Sequence, residues 1–233
     1  METHTMPRFL YALLLVFATA LPAHALSLSD ISNKDASGGL KEALTQGAGK
    51  AVDLLGRKDG FLGNPKVKIP LPKGLEEAAG IMRGLGMGKQ VDELEVAMNR
   101  AAEAAVPEAK ALLVNAVKQM TVEDAKKILT GGDTAGTDFF KGKTAAPLTT
   151  KFLPIVKKAI AKVKLAEKYD HFAGKASKFG VIKEEDTHLE NYVTRRALDG
   201  LYLMIGEEEK AIRKDPVGAA GSLAKKVFGA LGQ

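Results

Sequence analysis

The glycine-rich string GLGMGK at residues 84–89 is the closest approach to a phosphate-binding loop in this sequence. A Walker loop would require glycine where Arg83 stands and serine or threonine where Gln90 stands. No strand pattern precedes the string either. We therefore interpret these glycines as a turn between two helices rather than as a phosphate cradle.

Metal-ligating residue types are sparse and badly spaced for a metal centre. Beyond residue 25 the histidines are His171 and His188, with no HExxH string and no third ligand at helical spacing. Asp133 and Asp138 flank a glycine, but the alternating oxygens and the terminal glutamate of a calcium loop are missing. We expect no metal and no cofactor, and we interpret Asp133 as a helix cap.

One carboxylate falls within an apolar helical stripe and predicts a polar cluster in the core. At about 100° per residue, Glu208 lies near the centre of a stripe on the helix predicted from Thr187 to Arg213. A buried carboxylate needs a partner, and we predict Arg100, with Asn99 and Glu103 beside it on a nearly all-apolar helix. Such a cluster would clamp two helices or receive the polar end of a ligand. The alternative is that Glu208 reaches water at the rim of its helix.

Residues 151–183 hold nine lysines against Glu167 and Asp170, a balance of +7 where the whole chain carries +6. Within this segment Lys157, Lys158, Lys162 and Lys164 are candidate contacts to an anionic envelope surface, including phospholipid head groups. The alternative is a solvated helix face that serves solubility. For an exported protein we expect no nucleic-acid partner.

The first 25 residues are typical of a secretory signal peptide. Arg8 precedes an apolar run from Phe9 to Leu21, and the small-x-small triplet Ala23, His24, Ala25 follows. The run spans 13 residues, fewer than the ~20 that cross a bilayer. We therefore predict cleavage after Ala25, no transmembrane span in the mature chain and a periplasmic location. The chain contains no cysteine, so disulfides cannot contribute to its stability.

Helix signals recur down the rest of the chain and predict an all-α protein. Residues 26–36 are polar and aperiodic, which indicates a flexible lead-in, and residues 37–233 are predicted to form a single-domain bundle of eight or nine helices. Pro107 should kink or break the long helix predicted from Lys89 to Met120. Thr121 with Asp124 resembles a capping box, although Asp stands where Glu or Gln is usual. Further helices are predicted from about Thr144 to Val163 and from Leu165 to Phe179. No repeat and no parallel-sheet pattern appears.

The proline-rich segment 61–72, FLGNPKVKIPLP, interrupts the helical pattern. Its three prolines remove amide donors and push the preceding residues toward extended conformations. We predict an extended segment that lies across helices and is anchored by apolar side chains, namely Phe61, Leu62, Val67, Ile69 and Leu71.

Several long strings resemble a family of exported bacterial proteins, the domain of unknown function numbered forty-one ninety-seven. They include GLKEALTQG, FLGNPKVKIPLP, MNRAAEAAVPEAK, AKKILTGGDTAGTDFF, FLPIVKKA and ALDGLYLMIGEEEKAIRKDP. The resemblance extends from about Leu28 to Gly229. It implies an exported helical protein, and it assigns no catalytic or binding residue.

Two functions fit these observations. The first is a non-enzymatic periplasmic module that binds an envelope component or an apolar small molecule. The second is a metal-independent envelope hydrolase that uses Asp, Glu and Arg side chains. The absence of a complete catalytic motif favours the first, because helical stacks commonly serve as binding scaffolds.

Export gives the first testable prediction. Amino-terminal sequencing of the protein recovered from the cell envelope should begin at Leu26, because the small-x-small triplet ends at Ala25. Recovery of a chain that still begins at Met1 would contradict the prediction.

Overall fold

The computed structural model describes residues 32–163, 165, 166, 169, 188–215 and 221–231. These residues form helices joined by turns, and no strand occurs among them, which confirms the all-α class. The helices are α1 (Asn33–Gly56), α2 (Lys73–Gly84), α3 (Gly88–Ala105), α4 (Ala109–Lys118), α5 (Val122–Leu129), α6 (Ala135–Ile160), α7 (Leu189–Lys214) and α8 (Ser222–Leu231). Because the described residues are only part of the chain, the predicted total of eight or nine helices is not confirmed. The signal peptide and the single-domain organisation stay predictions, and the helix expected from Leu165 to Phe179 lies largely outside the described residues.

Helix α1 begins earlier than its apolar pattern indicates. The side chain of Ser32 accepts a hydrogen bond from the amide of Asp35 at 3.1 Å and so caps the first turn. The helix therefore starts at Asn33 and takes in residues 33–36, which we had assigned to the flexible lead-in. Periodicity alone missed this turn because its side chains are mostly polar.

The chain from Gly88 to Lys118 divides at Pro107, as the sequence predicts. Helix α3 ends at Ala105, a 3-10 turn covers Val106–Glu108, and α4 follows.

The second local signal that the structure confirms is the capping box of α5. The side chain of Thr121 accepts from the amide of Asp124 at 3.0 Å, and the Asp124 carboxylate accepts from the amide of Thr121 at 3.1 Å.

Helices α6 and α7 form an antiparallel pair at the centre of the core. The start of α6 meets the end of α7 at Glu209, and Thr144 meets Tyr202, with 2.9 Å between the two hydroxyl oxygens. Helix α3 packs against α6, and α1 packs against α7, α4 and α8. The buried residues of α6 recur at intervals of four: Phe140, Thr144, Leu148, Phe152, Val156 and Ile160.

Helix α6 also runs through Pro147 and Pro154, and it begins at Ala135 rather than near Thr144 as predicted. Both prolines are exposed. A proline leaves the carbonyl four residues earlier without its helical donor, and on an exposed face water satisfies that carbonyl. The helix can therefore continue through both positions.

The first turn of α6 is capped by a carboxylate from another helix. Thr134, at the N-cap position, makes no side-chain capping bond. Instead Glu209 of α7 accepts from the amide of Gly136 at 2.9 Å, and from the amide and the hydroxyl of Thr137 at 2.8 Å each. A Cβ atom on residue 136 would lie 3.1 Å from the Glu209 carboxylate and 2.5 Å from Leu44 Cδ2. Glycine is therefore required for the carboxylate to approach.

Arg213 neutralises this carboxylate. Its guanidinium lies 2.9 Å from Glu209, donates to the carbonyl of Ile128 at 2.9 Å, and lies 5.5 Å from the centre of the Phe228 ring. Glu209 is 4% exposed, so the charge pair is largely removed from water. One ion pair thereby connects α5, α6, α7 and α8.

Replacing Glu209 by alanine should lower the free energy of unfolding by about 3–5 kcal/mol, because Arg213 loses its carboxylate and two amides lose their acceptor. Urea denaturation measures the change. The matched control is Glu208→Ala on the same helix. The partly exposed ion pair between Glu208 and Lys50, 3.7 Å apart, should contribute less than about 1 kcal/mol. Equal effects of the two substitutions would contradict this account of the core.

Candidate functional site

Asn99 holds the irregular segment between α1 and α2 against α3. It is fully buried, accepts from the amide of Ile69 at 2.8 Å and donates to the carbonyl of the same residue at 2.9 Å. The second hydrogen of its side-chain amide is donated to the carbonyl of Glu95. The side chain therefore replaces the backbone partners that this non-helical segment lacks.

Glu103, one turn further along α3, also holds this segment against the helix. Its Oε1 accepts from the amides of Phe61 and Leu62, each at 3.1 Å. Its Oε2 lies 2.6 Å from Arg100, whose other terminal nitrogen lies 2.7 Å from Asp59. The hydrogen bond to Glu103 and, to a smaller extent, the one to Asp59 raise the pKa of the Arg100 guanidinium, so the guanidinium stays charged.

Asn99, Arg100 and Glu103 are thus neighbours, and we refer to these three residues as the loop clamp. Glu208, the fourth residue that we expected in the cluster, is elsewhere, and the predicted Arg100–Glu208 pair is wrong. Glu208 faces α1 at Gly47, where the missing side chain lets its carboxylate extend toward Lys50. The rim alternative describes Glu208 correctly.

Residue Glu209, which sequence reasoning missed, is the carboxylate of α7 that is buried in the core. It is one position beyond Glu208 and therefore about 100° around the helix, facing α6 instead of α1. One signal was present in the sequence: Arg213 stands four residues later, the spacing of a helical ion pair.

The clamped segment is less extended than we predicted. Residues 58–63 and 65–67 form turns separated by Asn64, and the longest stretch without a turn is residues 68–72. Hydrogen bonds from Gly63 to Asp59 and from Asn64 to Phe61 close the first of these turns. Phe61, Val67, Ile69 and Leu71 are buried, while Leu62 is only partly so. Phe61 fits against Gly200, where a Cβ atom would lie 2.8 Å from its ring.

The outer side of α6 carries an array of lysines. At about 100° per residue Lys143, Lys151, Lys157 and Lys158 fall within an arc of about 120°, and all four are exposed. We refer to these four residues as the basic face. Lys162 is exposed in the turn after the helix, whereas Lys164 lies outside the described residues.

The charge of the basic face is not balanced within α6 itself, although Asp124 of α5 interacts electrostatically with Lys143. Residues 135–163 hold six lysines and one acid, Asp138, a net of +5. Within the described part of the chain, no carboxylate lies at ion-pair distance from any lysine of the basic face or from Lys162. Lys157 and Lys158 stand in the last helical turn, where the helix dipole favours a cation.

Two concave regions border the α6–α7 pair. The cavity beside Glu209 measures about 10 Å³, room for roughly one water molecule. A groove of about 270 Å³ is lined by Asp138, Lys141, Asp199, Tyr202 and Glu207, among others. The ion pair with Lys66 lowers the pKa of Glu207, so this carboxylate does not serve as a proton donor near neutral pH.

Among the described residues, no three His, Cys, Asp or Glu side chains are arranged to hold a metal ion. No helix in the ranges given above combines the length and apolarity that a bilayer crossing requires.

The chain belongs to the family described as protein of unknown function (DUF4197), whose model matches residues 30–229. No curated protein and no solved structure matches the chain.

Replacing Asn99 by alanine tests the loop clamp. The amide and carbonyl of Ile69 would stay buried without partners, so the free energy of unfolding should fall by about 2–4 kcal/mol. Amide hydrogen exchange at Ile69 should accelerate. The control is Asn115→Ala, an exposed asparagine of α4. Unchanged exchange at Ile69 would show that the segment is held by its apolar anchors alone.

Proposed function

We propose that this is an exported, non-enzymatic helical protein that binds anionic phospholipid head groups of the envelope through the basic face of α6. The observation that supports the proposal is an exposed set of four lysines on one helix side, none of which has a carboxylate at ion-pair distance among the described residues. The proposal includes removal of residues 1–25, a periplasmic location and one helical domain from residue 33 onward.

Simple electrostatics gives the expected strength. A lysine near an anionic leaflet contributes about 1 kcal/mol, so four lysines contribute about 4 kcal/mol. That energy corresponds to millimolar affinity, which suits reversible binding to a dense surface. Because the screening length is about 8 Å at physiological ionic strength, binding should weaken steeply as salt is added.

The alternative of an envelope hydrolase has weaker support. The two buried carboxylates, Glu103 and Glu209, already accept backbone amides and pair with arginines. In the α6–α7 groove Glu207 is held ionised by Lys66. The groove remains the place where a small polar substrate would fit if the chain were an enzyme.

Liposome flotation decides the proposal. The protein should float with vesicles that contain anionic lipid and remain behind with neutral vesicles, and added salt should abolish the difference. A variant with Lys143, Lys151, Lys157 and Lys158 replaced by glutamine should bind anionic vesicles at least about tenfold more weakly.

The matched control removes the same charge elsewhere, by replacing exposed Lys89, Lys118, Lys126 and Lys214 with glutamine. If the two variants bind equally, net charge rather than the basic face is responsible. If flotation of the parent protein is the same with anionic and neutral vesicles, the proposal fails.

A further inference from the structure

The groove between α6 and α7 contains a recess that the packing of the two helices does not require. Three of its lining residues, Thr137, Tyr202 and Gly206, are buried. A Cβ atom on residue 206 would lie 3.5 Å from Thr134 and 3.6 Å from Thr137, ordinary van der Waals distances, so alanine would fit. Glycine inside a helix is destabilising relative to alanine. Glycine at position 206 therefore keeps the recess open at the expense of helix stability.

The charges of the groove sum to zero. Five charged side chains line it, namely Asp138, Lys141, Asp199, Glu207 and Lys210. Glu207 pairs with Lys66 at 2.8 Å and with Lys210 at 3.6 Å. With Lys66 included, three carboxylates face three ammonium groups. A ligand with a net charge gains no overall attraction there, whereas a zwitterion can meet an opposite charge at each end.

Three of these charges are not paired within the described part of the chain. No opposite charge lies at ion-pair distance from Asp138, Lys141 or Asp199. Asp138 and Lys141 stand three residues apart on α6, a spacing that permits an ion pair, but none forms. Arg196 stands three residues before Asp199 on α7, again without pairing. The three side chains are therefore free to contact a ligand.

The register of the two helices orders these charges along the groove. The hydrogen bonds between α6 and α7 place Lys141 level with about position 205 of α7, and Asp199 level with about position 147 of α6. At 1.5 Å per residue, the Cα atoms of Lys141 and Asp199 are about 9 Å apart along the helix axes. Leu203, 45% exposed, lies between these two levels. The groove thus offers a cation, an apolar contact and a carboxylate in that order.

From these observations we infer that the groove binds a peptide of two or three residues, with its carboxylate at Lys141 and its amino terminus at Asp199. An extended residue spans about 3.3–3.6 Å, so two or three residues cover about 7–11 Å, which matches the separation of the two charges. A free amino acid is too short to reach both. The recess at Gly206 lets the peptide backbone approach α7 closely. None of the four lysines of the basic face lines the groove, so this site is separate from the proposed lipid contact.

Two-dimensional NMR of the whole protein, titrated with the dipeptide alanyl-leucine, measures the binding. We expect saturable shifts at the backbone amides of Thr137, Leu203 and Gly206. Acetylation of the peptide amino group and amidation of its carboxylate should each weaken binding about three- to tenfold, because each removes one charge pair. Free leucine should also bind more weakly than the dipeptide, because it cannot bridge the two charges.

Two substitutions assign the ends of the peptide. Lys141→Gln should weaken binding of alanyl-leucine about three- to tenfold and leave binding of its amide unchanged, because the amide has already lost the group that Lys141 contacts. By the same reasoning Asp199→Asn should weaken binding of the free peptide and leave binding of the acetylated one unchanged. Lys118→Gln, at an exposed lysine of α4, is the control and should alter neither.

Gly206→Ala tests the recess. The added methyl group should preserve or raise the melting temperature, because alanine favours the helix, and should weaken peptide binding at least about tenfold by filling the recess. Gly80→Ala, at an exposed glycine of α2 with nothing within 4 Å, should leave binding unchanged. The inference is overturned if no amide of the groove shifts saturably, if the blocked peptides bind as well as the free one, or if Gly206→Ala binds like the parent protein. Binding of phosphoethanolamine but not of alanyl-leucine would also overturn it, because the groove would then hold a lipid head group.

Discussion

The carboxylate of Glu209 is the contact on which the arrangement of the helices depends. It supplies the N-terminal cap that α6 lacks, and it is neutralised by Arg213, which reaches α5 and the ring of Phe228 on α8. A buried charge is costly unless its partners are all present. Glu209 can therefore be buried only in the alignment of α6 and α7 that brings two amides, one hydroxyl and one guanidinium to its carboxylate. Apolar packing alone would tolerate sliding of the two helices, because the buried stripe of α6 repeats every four residues.

The features that sequence predicted correctly are those set by residues close together in the chain. The division at Pro107 follows from a missing amide donor, and the capping box of Thr121 and Asp124 follows from side chains three residues apart. Contacts between distant residues were harder. Periodicity places Glu208 and Glu209 on adjacent sectors of one helix, and only the packed neighbours decide which is buried. Gly47 opens a path to Lys50 for Glu208, while Gly136 admits Glu209 to the core. Neither glycine differs in the sequence from a glycine that merely ends a helix.

The loop clamp shows why grouping polar residues is easier than assigning their role. Asn99, Arg100 and Glu103 lie within about one turn of a mostly apolar helix, so their proximity follows from the sequence. Their partners are backbone amides and carbonyls of residues 61, 62 and 69, and no side-chain identity in that segment marks them. Prolines and turns deprive the segment of regular backbone pairing, and buried polar groups must then be satisfied by side chains. The loop clamp thus holds a loop, and the proposed binding function lies at the surface instead.

In helix α6 the residues that stabilise the fold and those that set the surface charge lie on different sides of the helix. Its inner side carries the aromatic and aliphatic residues of the core, and its start is fixed by Glu209. Its outer side carries lysines and both prolines, which a solvated helix side tolerates because water replaces the lost hydrogen bonds. The lysines of the last turn contribute only about 0.3–1 kcal/mol each through the helix dipole. Substitutions on the outer side should therefore alter the surface charge while leaving the bundle folded. The fold accordingly places few constraints on the outer side of α6, and a concentration of one charge sign there calls for an explanation outside the core.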